Sequence, residues 1–156
     1  VDGWTNAKID FAPNFTYFLG RYDFANSNAT LNLDPVKTFT IPPTATSIIL
    51  SFDLYEIDTW ILPDCAYVYV NGDDGFIGLN YFNATDDGPK GNTTKNGIVW
   101  TSTPRGPPVN LGFNTSVDQI HHVVASIPPS VYQKGEIEVR LSTRISGFSS
   151  DVSAGW

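Results

Sequence analysis

The acidic residues of this 156-residue chain offer the first chemistry to consider. Glu56 and Asp58 stand two apart in Ser51-Phe52-Asp53-Leu54-Tyr55-Glu56-Ile57-Asp58-Thr59-Trp60, a spacing that puts both carboxylates on one side of an extended strand. A retaining glycosidase needs a nucleophile and a second carboxyl group about 5 Å from it. The remaining glutamates are Glu136 and Glu138, so that second group has no source nearby, and the pair reads as organising the following loop by hydrogen bonds. A hard cation is the other use for such carboxylates, because Ca²⁺ takes six to eight oxygen ligands from loops. Asp58 and Asp64 flank one loop and Asp73 and Asp74 crowd another, neither with EF-hand spacing; Asp58 and Asp64 are the first ligands to name for a calcium ion, and no cofactor is otherwise required. His121 and His122 are adjacent, and neighbouring strand residues point to opposite faces, so they make no zinc-binding pair. Cys65 is the single cysteine and has no internal disulfide partner or evident activating neighbour. With no glycine-rich phosphate loop and no assignable order of Ser, His and acid, the expectation is a protein that is not an enzyme.

The elements that must position these residues repeat with a period of two. Ile48, Leu50, Phe52 and Leu54 alternate with Ile49, Ser51, Asp53 and Tyr55, which predicts a strand with one core face. Ala66, Val68 and Val70 alternate with Cys65, Tyr67 and Tyr69 before the turn cluster Asn71-Gly72-Asp73-Asp74-Gly75, which predicts a hairpin returning through Phe76 to Leu79. Ile137, Val139 and Leu141 predict a third strand after Gly135. Shorter candidates are Tyr17 to Leu19, Lys37 to Ile41, Ile98 to Ser102, Val109 to Phe113 and His122 to Ile127. No window carries a helical stripe, and Pro-Pro turns at 42–43, 107–108 and 128–129 separate the strands. The expected fold is all-β: a single domain over residues 1–156, an antiparallel two-sheet sandwich of jelly-roll type.

Composition narrows the setting. Sixteen acids against nine bases give a net charge of −7 with no basic patch, which argues against nucleic acid as a partner. Apolar runs are short, as in Ile48 to Leu50, and fall far below the roughly 18 residues that cross a bilayer as a helix, so no membrane insertion is expected. The chain begins at Val1 and contains no Met, which reads as a processed chain or a fragment. Asn-x-Ser/Thr occurs at Asn14, Asn28, Asn83, Asn92 and Asn114, whereas 12 Asn and 27 Ser plus Thr in 156 positions predict about two by chance. That excess points to N-linked glycans and an extracellular location, secreted or at the cell surface.

The segments Phe18-Leu19-Gly20-Arg21-Tyr22, Phe39-Thr40-Ile41-Pro42, Ser51 to Trp60 and Tyr67-Val68-Tyr69-Val70-Asn71-Gly72 resemble a family of extracellular jelly-roll domains of secreted adhesive and structural proteins, which share a Phe-Asp-x-Tyr-x-Ile-Asp-Ser-Trp strand. Where that family places Asp-Gly-Glu after the Trp, this chain has Ile61-Leu62-Pro63-Asp64. Where it closes on Ser-Trp-Gly-Ile-Asp-Asn-Val, this chain shows Ser153-Ala154-Gly155-Trp156, so the last strand is expected to be missing. Glu56 and Asp58 are also similar to the first two acids of the Glu-x-Asp-x-x-Glu strand of laminarinase-like sandwich glycosidases, with Ile61 at the third position.

Two functions from different classes follow. The resemblance implies a glycosylated structural or adhesive subunit whose partners are copies of itself or neighbouring extracellular domains. Residues 1–14 would then be an extended N-terminal arm, with little periodicity of its own, that enters a neighbour's vacant strand position through Trp4, Ile9 and Phe11 and builds a fibre. The alternative is a lectin-like carbohydrate-binding module whose Trp60, Tyr67 and Tyr69 stack on sugar rings.

Overall fold

The computed structural model describes residues 2–13, 16–23, 34–58, 60, 64–77, 92–93, 96–113, 117–132, 135–145 and 153–156. They form eleven strands and one 3-10 turn at Pro129–Val131, with no α-helix. The strands are β1 (Ile9–Phe11), β2 (Tyr17–Asp23), β3 (Val36–Thr40), β4 (Ile48–Ile57), β5 (Cys65–Val70), β6 (Asp73–Ile77), β7 (Asn92–Thr93), β8 (Val99–Pro104), β9 (Gln119–Ile127), β10 (Glu136–Arg144) and β11 (Ser153–Gly155). Seven of them form one sheet in the order β1-β2-β11-β4-β9-β8-β7 and four form a second, β3-β10-β5-β6. Every pairing is antiparallel.

The alternation in the sequence decides which side chains fill the space between the sheets. β4 and β9 pair from Ile48↔Ile127 to Glu56↔Gln119 and turn Leu54, Val123, Ala125 and Ile127 inward. From the smaller sheet come Val68, Val70, Val139 and Leu141, and Trp60, Ile98, Trp100 and Ile145 complete the main core. A second, smaller cluster of Ala12, Phe18, Tyr55, Ile57, Leu111 and Ile120 packs separately. The β5–β6 hairpin turns through two residues, Asn71 and Gly72, with φ of 50° and 76°. Asn and Gly are the residues that tolerate such left-handed positions, so β6 begins at Asp73 rather than after a longer turn. Asn71 also holds the hairpin to its surroundings: its side chain donates to the Val131 carbonyl at 2.8 Å and accepts from the Glu138 amide at 2.8 Å.

Two expectations change. Val109 to Phe113 is not a strand; Val109 makes an isolated bridge with Asp118. The last strand is not missing, because Ser153–Gly155 forms β11 between β2 and β4. Its length deceived the sequence reading: three residues carry no visible period. Close approach makes the joint specific. The Phe18 ring lies over both Gly20 on β2 and Gly155 on β11, so a Cβ at either position would collide with it. Ala154 and Trp156 reach the main core, and the Trp60 indole donates to the Ser153 carbonyl at 3.1 Å.

Deleting residues 153–156 therefore removes the joint of the large sheet as well as a core tryptophan. Loss of a buried Trp side chain alone costs about 3–5 kcal/mol, against a total stability of about 5–15 kcal/mol for a domain. The expected outcome is loss of the cooperative thermal transition, read by near-ultraviolet circular dichroism; an unchanged transition would show that β11 contributes little.

Candidate functional site

β4 has two unlike halves. Leu54 to Ile57 are buried, whereas the inward-facing Ile48, Leu50 and Phe52 are only half-buried. The cause is a change in pairing on the edge opposite β9. The β11 ladder reaches Gly155 opposite Tyr55, and among the described residues Ile48 to Asp53 pair with β9 alone. Beside that free edge runs a groove of about 420 Å³. Its walls are Leu50 and Phe52 of β4, Phe39 of β3, Ile137 of β10, and Trp4 and Trp156. No charged residue lines it among the described residues. Unpaired backbone polar groups beside an apolar channel can bind an extended polypeptide, the backbone by ladder hydrogen bonds and alternate side chains by burial.

The N-terminal residues lie next to this groove. Trp4 packs edge-on against Phe39 with ring centres 6.3 Å apart, and Thr5 pairs with Val36 through N–H to carbonyl bonds of 2.9 and 3.2 Å in the two directions. β1 then pairs with β2, leaving Ile9 54% and Phe11 45% exposed. Trp4 is thus part of the groove wall in its own chain, while Ile9 and Phe11 lie on an edge strand.

The outer face of the same strand pair carries an arrangement that sequence order alone did not reveal. Ser51 Oγ stands 3.4 Å from His122 Nε2, His122 Nδ1 is 3.0 Å from Asp53 Oδ1, and Arg105 pairs with Asp53 Oδ2 at 2.9 Å. This is the hydrogen-bond order of nucleophile, base and orienting acid. It stands on an open sheet face, with exposed Ser51 and Thr103 around it. The signal in the sequence was only the alternation itself: Ser51 and Asp53 share a face, and His122 is opposite Asp53 across the ladder. His121 points the other way, as expected for its neighbour, and its Nε2 lies 3.1 Å from Glu56 Oε2 in the interior.

The other candidates fall into place by burial. Strand alternation stops at Ile57, and Asp58 turns away with φ 63°, so Glu56 and Asp58 do not form a same-side pair on a strand. The Asp58 amide donates to Asp118 Oδ1 and the Leu111 amide to Asp118 Oδ2, both at 2.8 Å, so Asp118 ties the end of β4 to the loop before β9. Asp58 and Asp64 are both buried, and no group of three or more His, Cys, Asp or Glu among the described residues is placed to hold a metal ion. Residues 59 and 61–63 of that loop are outside the described residues. Trp60 is 2% exposed and fills the core, so it presents no ring face to a sugar; aromatic content in the sequence does not distinguish core from surface. Tyr67 and Tyr69 are half-buried and stacked at 6.2 Å, with the Arg140 guanidinium 3.9 Å above the Tyr69 ring. Of the sequons, Asn92 lies on β7, and Asn14, Asn28, Asn83 and Asn114 are outside the described residues.

Compared with known protein families, curated proteins and solved structures, this chain matches none of them.

Burial pushes the Cys65 thiol above its ordinary value, and burial together with a hydrogen bond to Cys65 raises the Tyr67 phenol to about 12. A raised thiol pKa makes less thiolate, so Cys65 is a poor nucleophile. In the unfolded chain both groups ionise at lower pH than in the folded protein, so the folded state holds more protons and stability falls as pH rises. The thermal midpoint is expected to decline progressively above the thiol's ordinary value of 9.0; a midpoint that stays level to pH 11 would contradict that assignment. Activated-ester hydrolysis by the intact protein is expected to equal buffer background, and a rate abolished by Ser51→Ala would show that the surface serine works.

Proposed function

We propose that this chain is an extracellular, N-glycosylated structural or adhesive subunit that assembles with copies of itself, built as a jelly roll and without enzymatic activity. The observation that carries the reading is the half-edge of β4 that, among the described residues, pairs on one side alone, above a groove whose described lining is apolar and uncharged. A monomer gains nothing from such a feature, since it leaves backbone donors and acceptors to water and invites pairing, whereas an assembling subunit uses it. The sequons and the resemblance to extracellular adhesive jelly-roll domains support the location and the class. The net charge of −7 disfavours nucleic acid as a partner, and no helix among the described residues is long and apolar enough to cross a membrane.

A second reading, sugar binding, retains one specific feature, the stacked and half-exposed pair Tyr67 and Tyr69 beside Arg140. It is weaker, because Arg140 already covers one ring and Trp60 is unavailable. Calcium, if bound, would draw on Asp58 and Asp64; the structural reading requires none.

Material from the native source is expected to exceed 17.1 kDa by the mass of several glycans and to sediment as assemblies. An unglycosylated monomer that is retained on a glycan column would replace this reading with the second one. Equal thermal midpoints in calcium and in a chelator are expected, and a rise of several degrees with calcium would assign Asp58 and Asp64 a metal.

A further inference from the structure

We propose that the groove between the two sheets binds a medium-chain fatty carboxylate, its acyl chain lying along Ile48 to Phe52 of β4 and its carboxylate meeting the Lys37 ammonium at the rim. The inference goes beyond the assembly reading and does not rest on it, since an acyl chain packs on side chains of the groove and uses none of the β4 backbone.

The groove is an opening of the core rather than a feature of one surface. Ile48, Leu50 and Phe52 of the large sheet and Phe39, Ile137 and Val139 of the small one line it, so both sheets contribute their inward faces. Ile137 and Val139 are buried at its floor, whereas the other four are only half-buried. The two inward faces do not close on one another here. The space between them, about 420 Å³, falls within the ~300–1,000 Å³ typical of small-molecule sites. Among the described residues the lining carries no charge and only two hydroxyls, those of Thr40 and Ser51. A ligand lying in it must therefore be apolar along its length. An acyl chain has no donor or acceptor to leave unpaired against such walls, whereas the backbone amides of a polypeptide would need partners that a floor of Ile137 and Val139 does not offer.

Charge at the rim selects a carboxylate as the head group. Lys37 stands opposite Val139 in the β3–β10 ladder, and opposite residues share a face, so its stem runs on the groove side of β3. Its ammonium lies 5.2 Å from the centre of the Phe39 ring and donates to the Asp2 carbonyl at 2.6 Å. An ammonium has further N–H donors to give, and among the described residues no carboxylate pairs with this one. An anionic head group there gains a charge-assisted hydrogen bond while its tail leaves water. The net charge of −7 does not prevent this, because exposed charges farther than ~8 Å away are largely screened at physiological salt. Length agrees as well. Ile48 to Phe52 spans about 13 Å at ~3.3 Å per residue. A zigzag carbon chain advances ~1.25 Å per carbon, from its bond length and near-tetrahedral angle, so about ten carbons match that span.

The test titrates the full chain with hexanoate, octanoate and decanoate, each below its micellar concentration, by calorimetry and by tryptophan fluorescence, since Trp4 and Trp156 line the groove. One site per chain is expected, with affinity rising about fourfold per added methylene as each is withdrawn from water. Decanoate is expected to bind more tightly than uncharged decanol. Lys37→Gln, a change at the rim, is expected to keep the parent's thermal midpoint and to weaken decanoate about tenfold while leaving decanol as in the parent. Decanoate that fails to bind, or an affinity that does not grow with chain length, overturns the groove as an acyl site. Decanol bound as tightly as decanoate, or decanoate unaffected by Lys37→Gln, overturns the carboxylate as head group and with it the proposal. Each of these failures leaves the subunit reading standing, because assembly is read separately by sedimentation.

Discussion

The large sheet is continuous because three residues at the far end of the chain fit between β2 and β4. Ser153 to Gly155 pair with Asp23 to Gly20 on one side and with Ile57 to Tyr55 on the other. Among the described residues they are what joins the β1–β2 hairpin by a ladder to β4. The fit demands two glycines beneath the Phe18 ring, and it brings Trp156 against Phe52 with ring centres 5.7 Å apart. Strand contacts this distant in sequence pay their loop-closure entropy before any gain in packing. The joint is thus both the latest pairing that chain order allows and the one that determines whether there is one sheet or two.

Much of the fold was legible because antiparallel strands with one buried face display their period directly. The strands at 48–57, 65–70 and 136–144 could be read from their alternation, and the Asn71-Gly72 turn from its residue types. Two kinds of feature could not. Short elements such as β1 and β11 offer too few positions for a period to appear. Side-chain chemistry across strands depends on register, which the sequence of one strand does not contain: Ser51, Asp53 and His122 meet only because β4 and β9 pair as Asp53↔His122. Trp60 shows the converse limit, since a tryptophan beside a strand has the same sequence signature whether it faces a sugar or the core. The expectation that the last strand is missing fails, because Ser153 to Gly155 fill that place between β2 and β4.

The two faces of β4 divide polar from apolar chemistry within a few ångströms. Inward-facing Ile48, Leu50 and Phe52 form the groove, while outward-facing Ser51 and Asp53 join His122 and Arg105 in a hydrogen-bonded row. That row ties β4 to β9 and to Arg105, which directly follows β8, through side chains as well as backbone. The interior Glu56–His121 pair has the same effect at the upper end of β4, where a buried polar group left alone would be costly.

The placement of β11 also governs how this domain bears load. A three-residue segment flanked on both sides by antiparallel partners, with Trp156 bonded to Leu19 in both directions at 2.7 and 3.0 Å, lies along the strand axis. Tension drawn through that end of the chain acts parallel to the strands, so the bonds on both sides are sheared together instead of being unzipped one by one. Resistance to pulling then comes from geometry rather than from covalent cross-links, in a chain whose single cysteine is buried and unpaired. Force applied at one end across the strand axis would load those bonds in turn, so resistance is greater along the strand direction than across it.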